Sequence, residues 1–428
     1  MKNLDVLSTL FVGIDVSSKS NVVCAIDFIN TKHLVFSVPN NHPGAITLAQ
    51  KLVDLLNNSK FSTVIIALEA TSFYSTHIAT FLSSSDLLLP FKPYVYCINP
   101  KAIANYRKSF IGLSKTDPID AFIIADFARC GRIKSQPWRG SQFLALQRLT
   151  RHRLHLIESL TREKTYMISN MFLKFSELAV SCDDHDPFSD NFGATASAVL
   201  TEFLSIDDIV NMSVDDLVKF ICVKGRNHFS DPVKTASILK QAATNSYRLD
   251  KCLYEPLTVA IASSFNCISA FDAQTKIIDK AILKAVKGLN SNEYQCLISI
   301  PGIGPVFSAG IISEIGSITS FPSHDALAKY AGLIWREHQS GDFRADDTNM
   351  SKAGNSYLRY YLLEAANSVR KHVPEYTEFY SKKFNEVRTH QHKRALALTS
   401  RKLIRLIFGL LDNNQLYSQS MVESKLNK

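Results

Sequence analysis

Two acidic residues inside strongly apolar, strand-like segments constrain the fold more than any other feature of this sequence. Asp15 stands between Ile14 and Val16 in the segment 11–17, and Glu69 ends the apolar run 63–68. A buried carboxylate without a partner is costly, so each one needs a cation, a cluster of hydrogen bonds or a bound proton. Glu69, at the end of its run, could also simply reach solvent.

Two further carboxylates belong to the stretch 115–126, where the sequence predicts the start of a helix. Asp117 stands at the N-cap position, Pro118 at the first helical position and Asp120 in the first turn. Residues three apart share a helix face, so both carboxylates are expected to point the same way. Taken alone, this pattern has a simple explanation: Asp117 caps the helix, and Asp120 lies near the positive end of the helix dipole. Together with Asp15 and Glu69, it predicts four carboxylates at one edge of a sheet, a donor set that suits Mg²⁺ or Mn²⁺.

The first 135 residues alternate between strand and helix patterns, which predicts an α/β domain with a mixed sheet. The serine-rich segment 17–20 predicts a hairpin between the first two strands. The predicted strands are 11–17, 21–28, 34–38, 63–68 and 94–98, and the predicted helices are 43–56, 71–82 and one that starts at residue 100.

Helical patterns dominate after residue 138. Residues 142–174 form a long, basic amphipathic pattern typical of a bundle or a coiled-coil arm, and helical spacing returns at 269–289. In 296–320, a turn with Gly302 and Gly304 separates two apolar segments, which predicts a helix-hairpin-helix whose amides approach a phosphate backbone, although any tight turn between helices could use these glycines. The predicted domains are 1–138 (α/β), 139–180 (helical arm), 181–268 (acidic helical insertion), 269–410 (mainly α) and 411–428 (tail).

The net charge of +9 is unevenly distributed along the chain. Residues 101–170 and 351–410 each carry +8, whereas residues 171–230 carry −6. The two basic stretches predict a polyanionic partner, because Lys and Arg bind phosphates by displacing counterions; solvated helix faces are the alternative. The apolar runs are too short and too charged to span a bilayer, and the eight cysteines show no C-x-x-C spacing, so we expect a reduced, cytoplasmic protein without a membrane or zinc partner.

Three acidic motifs resemble those of the DEDD insertion-sequence transposases, the bridge-RNA-guided recombinases of the IS110 type. The resemblance implies a RuvC-like (ribonuclease H) fold for residues 1–138. It also implies that Asp15, Glu69, Asp117 and Asp120 are catalytic and bind Mg²⁺ or Mn²⁺. Ser72 departs from the glycine common at its position. The motifs are Gly13-Ile14-Asp15-Val16-Ser17, Ala67-Leu68-Glu69-Ala70-Thr71 and Lys115-Thr116-Asp117-x-x-Asp120-Ala121.

Segments of the second half resemble, in order, the C-terminal transposase domain of the same family. Without the resemblance, the residue types of Ser340-Gly341 predict only a polar turn. The resemblance implies instead that Ser340 is the nucleophile that forms a phosphoserine–DNA link. Trp335 departs from the usual proline, and Asp342-Phe343 from a more basic continuation. The segments are Pro301-Gly302-Ile303-Gly304, Tyr330-Ala331-Gly332-Leu333, Gln339-Ser340-Gly341 and Ser351-Lys352-x-Gly354-Asn355.

The resemblance further implies DNA as the substrate, a bridge RNA that chooses the target, and a homo-oligomer (dimer or tetramer) with sites shared between protomers. Two alternatives stay open: a RuvC-like metal-dependent nuclease in which Ser340 is structural, and a non-catalytic nucleic-acid-binding protein. The candidate nucleic-acid contacts are Lys115, Arg148, Arg151, Arg153, Gly302, Gly304, Arg336, Lys352, Asn355 and Arg359.

Overall fold

The chain divides into two compact units in a computed structural model. The first unit combines Met1–Arg148 with Ala285–Lys428, and the inserted unit is Leu149–Lys284. The structure describes residues 5–70, 73–110, 112–133, 137–138, 140–180, 186–289, 292–335, 339–340, 343–344 and 350–418.

A five-stranded mixed sheet forms the centre of the N-terminal part of the first unit, as the sequence predicts. Its strand order is β3-β2-β1-β4-β5. The first three strands pair antiparallel, and β4 and β5 are added parallel to β1. The predicted hairpin between β1 and β2 is confirmed, with the amide of Ser17 donating to the carbonyl of Ser20. The strands are β1 (Thr9–Val16), β2 (Ser20–Ile26), β3 (Lys32–Pro39), β4 (Thr63–Glu69) and β5 (Tyr94–Ile98).

Helices cover both faces of this sheet, because its central strands are apolar on both sides. One apolar cluster joins Ile14 and Ile66 to α1 and α2, and a second joins Phe11 and Ile65 to α4. The helices are α1 (His42–Asn57), α2 (Tyr74–Ser84), α3 (Pro100–Arg107) and α4 (Asp117–Arg129).

The inserted unit is helical. It contains most of α5 and most of α11, and α6–α10 lie between these two helices in the sequence. These two helices are antiparallel: Arg153, early in α5, pairs with Asp279, late in α11, and Lys174 at the end of α5 bonds Thr258 near the start of α11. The coiled-coil geometry itself stays a prediction. The helices are α5 (Ser141–Lys174), α6 (Ser176–Ala179), α7 (Ala194–Glu202), α8 (Ile206–Asn211), α9 (Val214–Lys224), α10 (Pro232–Asn245) and α11 (Lys251–Gly288).

The predicted start of the last of these helices, at residue 269, is wrong. Helix α11 begins at Lys251 and continues through Pro256, so residue 268 lies inside a continuous helix. Proline normally breaks a helix, because it lacks an amide hydrogen and its ring crowds the preceding turn. Pro256 lies only in the second turn of α11, and the packing of the following apolar residues, among them Ile261 and Ile268, maintains the helix.

The C-terminal part of the first unit is mostly helical, as expected. Helices α12 and α13 flank the turn that contains Gly302 and Gly304, while the helix-hairpin-helix function of this turn stays a prediction. No helix within the described ranges is long and apolar enough to cross a membrane. The elements are α12 (Asn292–Ile298), α13 (Pro305–Ile315), α14 (His324–Ala331), β6 (Gln339–Ser340), β7 (Phe343–Arg344), α15 (Ser356–Val369), α16 (Pro374–Asn385) and α17 (Gln391–Asp412).

Candidate active site

Asp15 and Glu69 lie on the same face of the sheet, at the same edge. Side chains alternate along a strand, and the β4 residues Ile65 and Ala67 both belong to the apolar cluster that packs against α4. Glu69 continues this alternation, and Asp15 continues it from Phe11 in β1. Because β1 and β4 are parallel neighbours, their carboxyl ends meet at one edge, and the two carboxylates come together there.

Gly13 allows α4 to lie directly against this face. A Cβ at Gly13 would lie 2.1 Å from the carbonyl oxygen of Ala121 and 2.3 Å from the amide nitrogen of Ala125, both in α4. Any side chain would therefore push the helix away from β1. The close contact brings the start of α4, with Asp117, to the sheet edge that carries Asp15.

The electrostatics of the edge show that three carboxylates and one lysine act on each other. Burial, and secondly the charge of Asp117, raise the pKa of Asp15 above its usual value. Burial and then the charge of Asp15 raise the pKa of Glu69. Lys115 opposes both shifts. Asp15, Glu69, Asp117 and Lys115 therefore share one site, which we call the carboxylate edge.

Asp120 is held differently from the other three predicted carboxylates. It forms an ion pair with Arg107 at the end of α3. The expectation that Asp117 caps the helix is also wrong: Thr116 is the N-cap, and its carbonyl accepts from the amide of Asp120 at 2.9 Å. Asp117 is thus the first helical residue. The charge of Asp117 acts on Asp15, whereas Asp120 pairs with Arg107, so the two carboxylates have different partners although both lie in the first turn of α4.

The donor chemistry of the carboxylate edge fits a divalent cation. Hard carboxylate oxygens are the ligands that Mg²⁺ and Mn²⁺ prefer, and a cation would offset both the burial and the repulsion that raise the pKa of Asp15 and of Glu69. Among the described residues, however, no three His, Cys, Asp or Glu side chains are arranged to hold a metal ion. Asp120 could join the other carboxylates around a cation only by leaving Arg107.

Ser340 lies in the short strand β6, which pairs antiparallel with β7. The base of this segment is closed by a bridge between Trp335 and Met350, and by the amide of Ser351, which donates to the carbonyl of Ile334 at 2.8 Å. Arg336, a predicted nucleic-acid contact, lies outside the described residues.

Two predicted nucleic-acid contacts near this segment use their polar groups within the fold. Asn355 caps α15 by accepting from the amide of Leu358, and its amide group donates to the buried carboxylate of Glu314 at 2.7 Å. Arg359 donates to the carbonyls of Ala331 and Lys352. These contacts hold the chain on the C-terminal side of Ser340. Lys352 itself is exposed, with a left-handed backbone (φ of 49°).

The basic residues of α5 differ in their surroundings. The guanidinium of Arg148 lies 4.0 Å from the centre of the Phe73 ring. Arg153 donates from Nε to Asp279 at 2.5 Å, so it joins α5 to α11 within the inserted unit. Arg151 is half-buried. A reversal of all three charges would therefore disturb packing as well as any nucleic-acid contact.

The two glycines of the turn before α13 also differ. Gly302 has a φ of 95°, and a Cβ there would lie 2.9 Å from the Cα of Val369, so its role in the fold is a close approach to α15. Gly304 is the N-cap of α13 and has open space where a Cβ would lie. Of the two, Gly304 leaves its backbone accessible to a phosphate.

Sequence reasoning missed the polar partners that position α4. Asp126, in the middle of α4 and buried, accepts a hydrogen bond from the hydroxyl of Tyr106 at 2.6 Å and pairs with Arg129. Together with the pair of Arg107 and Asp120, this contact joins α3 to α4. The presence of Asp126 within the apolar run 121–128 could have indicated a buried polar contact. Nothing in the sequence pattern indicates that Arg107 pairs with Asp120.

Comparisons with known proteins find two transposase family models that match this chain. A family model for DEDD transposases of the IS110 type, described as "Transposase", matches residues 12–175, and one described as "Transposase IS116/IS110/IS902 family" matches residues 294–381. The transposase for insertion sequence element IS1111A of Coxiella burnetii is 26% identical over 52% of this chain and 65% of its own length. The 44.8 kDa protein of insertion element IS116 of Streptomyces clavuligerus is 22% identical over 78% of this chain and 80% of its own.

A relative named for a different role matches over more of the chain. The pilin gene-inverting protein of Moraxella lacunata is 23% identical over 97% of this chain and 100% of its own length. The two family models cover the acidic motifs in the first part of the chain and the segment around Ser340 in the second. The chain belongs to the IS110 family of transposases.

Proposed function

We propose that this protein is a DNA recombinase of an insertion sequence, which cuts and rejoins DNA strands through a phosphoserine formed at Ser340. Asp15, Glu69, Asp117 and Asp120 would hold Mg²⁺ or Mn²⁺ in a RuvC-like domain. The observation that supports this most is the carboxylate edge, where the half-buried carboxylates of Asp15 and Glu69 repel each other and are retained at a free-energy cost. Acidic groups kept in such a state are typical of functional sites.

In the proposed reaction, the hydroxyl oxygen of Ser340 attacks the scissile phosphorus. The bond between phosphorus and one DNA oxygen breaks, which leaves a phosphoserine and a free DNA hydroxyl. A hydroxyl from a second strand then attacks the phosphoserine, so the serine is released and one phosphodiester has replaced another. A bound divalent cation would supply charge neutralisation at the phosphate. Lys115, exposed beside the carboxylates, would contact the same phosphate.

The proposal includes DNA, a bridge RNA and a homo-oligomer (dimer or tetramer) as partners. The resemblance supports the RNA and the oligomer, and the two basic stretches support nucleic acid in general. Exposed groups such as Lys115, Lys352 and the open turn at Gly304 are the proposed backbone contacts. Ser340 and the carboxylates come from distant parts of the sequence, so one protomer could supply the serine and another the carboxylates.

DNA inversion is a second candidate reaction. The pilin gene-inverting protein of Moraxella lacunata matches nearly the whole of this chain, including both parts that carry the proposed site. Inversion uses the same cutting and rejoining chemistry, and it differs only in which pairs of strands are joined. The number and orientation of the DNA sites would decide between the two outcomes.

Trapping a covalent protein–DNA adduct tests the chemistry. The substrate is a plasmid that carries the gene with its flanking non-coding DNA, incubated with Mg²⁺ and the associated RNA. We expect an adduct with the wild type, none with Ser340→Ala, and an adduct with the matched controls Ser351→Ala and Ser356→Ala. An adduct with Ser340→Ala would exclude this serine. Metal-dependent cutting without any adduct would favour the nuclease, and binding without cutting would favour the non-catalytic alternative.

Mixing two inactive variants tests the shared site. Asp15→Asn removes a carboxylate, and Ser340→Ala removes the nucleophile. If one protomer supplies the serine and another the carboxylates, a mixed oligomer contains some sites with both intact, and cutting should partly return. If the mixture assembles and stays inactive, the site lies within one chain.

A further inference from the structure

A cavity of about 480 Å³ opens between α1 and α2, at the sheet edge where β1 and β4 end but on the sheet face opposite to α4. Its lining includes Ser18, which lies three residues after Asp15, and Phe73, which lies four residues after Glu69. The side-chain amide of Asn40 donates to the carbonyls of Ser17 (2.8 Å) and Tyr74 (3.4 Å). The turn after β1 and the start of α2 are thereby joined, so the cavity and the carboxylates lie at the same edge of the sheet.

The lining is largely aromatic, with polar groups among the rings. Phe73 and Tyr74 are adjacent in the chain, and they are 61% and 50% exposed. His42 and His77 add two further flat rings. Flat faces that stack, together with a few groups that form hydrogen bonds, are the features that bind unpaired bases. The cavity is also within the usual size range of ligand pockets.

Two further observations suit a ligand attached to a phosphate backbone. The guanidinium of Arg148 lies over the Phe73 ring, so it fixes this ring and adds a positive charge at the rim. Helix α2 begins at Tyr74, and its N-cap residue Phe73 makes no capping hydrogen bond with its side chain. The positive end of the helix dipole attracts a phosphate.

We propose that this cavity receives one unpaired base of the DNA strand that is cut, next to the phosphate that lies at the carboxylate edge. The position relative to the cut rests on the proposed function, whereas base binding itself does not. A base within a duplex is stacked on both sides and could not enter. The cavity would therefore favour strands that are already open at the site of cutting.

Ser18→Trp tests the proposal, because Ser18 is exposed and a tryptophan there would fill the cavity. Ser84→Trp, at the exposed end of α2, is the matched control. The probe is a 12-mer of thymidine, compared with a 12-mer of the same length that has only abasic sites, in EDTA so that no cutting occurs. We expect the Kd for the thymidine 12-mer to rise about tenfold in Ser18→Trp, as loss of one stacked base predicts, and to stay unchanged in Ser84→Trp.

The abasic 12-mer separates base binding from backbone binding. It should bind equally to the wild type, Ser18→Trp and Ser84→Trp. Equal thymidine binding by Ser18→Trp and the wild type, an equal loss of affinity for both 12-mers, or no binding by the wild type would each overturn the proposal. If Ser18→Trp does not fold, His77→Ala provides the same comparison with a smaller expected loss. Failure of the wild type to cut DNA would contradict the proposed function and leave these binding results unchanged.

Discussion

Gly13 has no side chain, and that fact determines how closely α4 approaches β1. The hydrogen atom at this position leaves room for the backbone of Ala121 and Ala125. The sequence motif around Asp15 therefore contains a packing residue as well as a carboxylate. The glycine places the helix, and the helix brings Asp117 to the carboxylate edge.

Gly13→Ala should destabilise the protein by about 3 kcal/mol, because the new methyl group meets backbone atoms that cannot rotate away. Cutting activity should fall as well, since α4 would move relative to Asp15. Urea unfolding measures the first effect. Gly409→Ala, in α17 with open space around its Cβ position, is the control and should be neutral or slightly stabilising. A Gly13→Ala protein as stable as the wild type would contradict this account of the packing.

Lys174 makes the stability of the protein depend on pH. It is buried and donates to the carbonyls of Leu200 and Phe203, and burial lowers its pKa to about 8 from 10.5. Between these two values the unfolded chain binds more protons than the folded one, so stability should increase as pH rises from about 8 to 10.5, by about 3 kcal/mol. Lys174→Met should lose this increase, and the exposed Lys234→Met should keep it, in urea unfolding at several pH values. An unchanged slope in Lys174→Met would show that another group is responsible.

At the scale of elements, α15 begins where buried polar groups meet. Asn355→Ala should remove both the cap of α15 and the amide group that donates to the buried carboxylate of Glu314, at a cost of about 2–3 kcal/mol. Ser323→Ala, which removes only the cap of α14, should cost about 1 kcal/mol. Thermal unfolding of both variants gives the comparison. Equal losses would mean that the contact with Glu314 contributes nothing beyond the cap.

The strands and most helices could be predicted from the sequence, because apolar periodicity and turn residues determine them locally. The common edge of Asp15 and Glu69 was also predictable, since both lie near the carboxyl ends of apolar strands. The ion pair of Asp120 with Arg107 was not, because it depends on where the end of α3 lies relative to α4. The start of α11 was missed for a different reason: local preference disfavours Pro256 in a helix, and tertiary packing outweighs that preference.

At the scale of the whole molecule, charge separates regions that should bind nucleic acid from regions that should not. Lys101 and Lys108 are exposed in a basic stretch, whereas Lys234 and Lys251 are exposed outside the two basic stretches. Reversing the first pair to Glu should weaken DNA binding and reduce the slope of log Kd against log salt by about two, if each contacts one phosphate. Reversing the second pair should change neither. Equal effects of both reversals would indicate a response to net charge alone.

The inserted unit separates the two stretches of sequence that form the first unit, so the ribosome makes the first unit in two stages. Its sheet builds both apolar clusters from residues 10–138, so it can acquire a core as soon as that stretch has left the ribosome. The ribosome must then make the inserted unit, which takes on the order of ten seconds, before α12–α17 and the segment with Ser340 emerge. Only then can the side chain of Gln147 donate to the carbonyl of Ser313 and join the two parts. A nascent chain thus presents its carboxylates well before the proposed nucleophile Ser340, and an incompletely translated copy contains only the acidic residues of the proposed site.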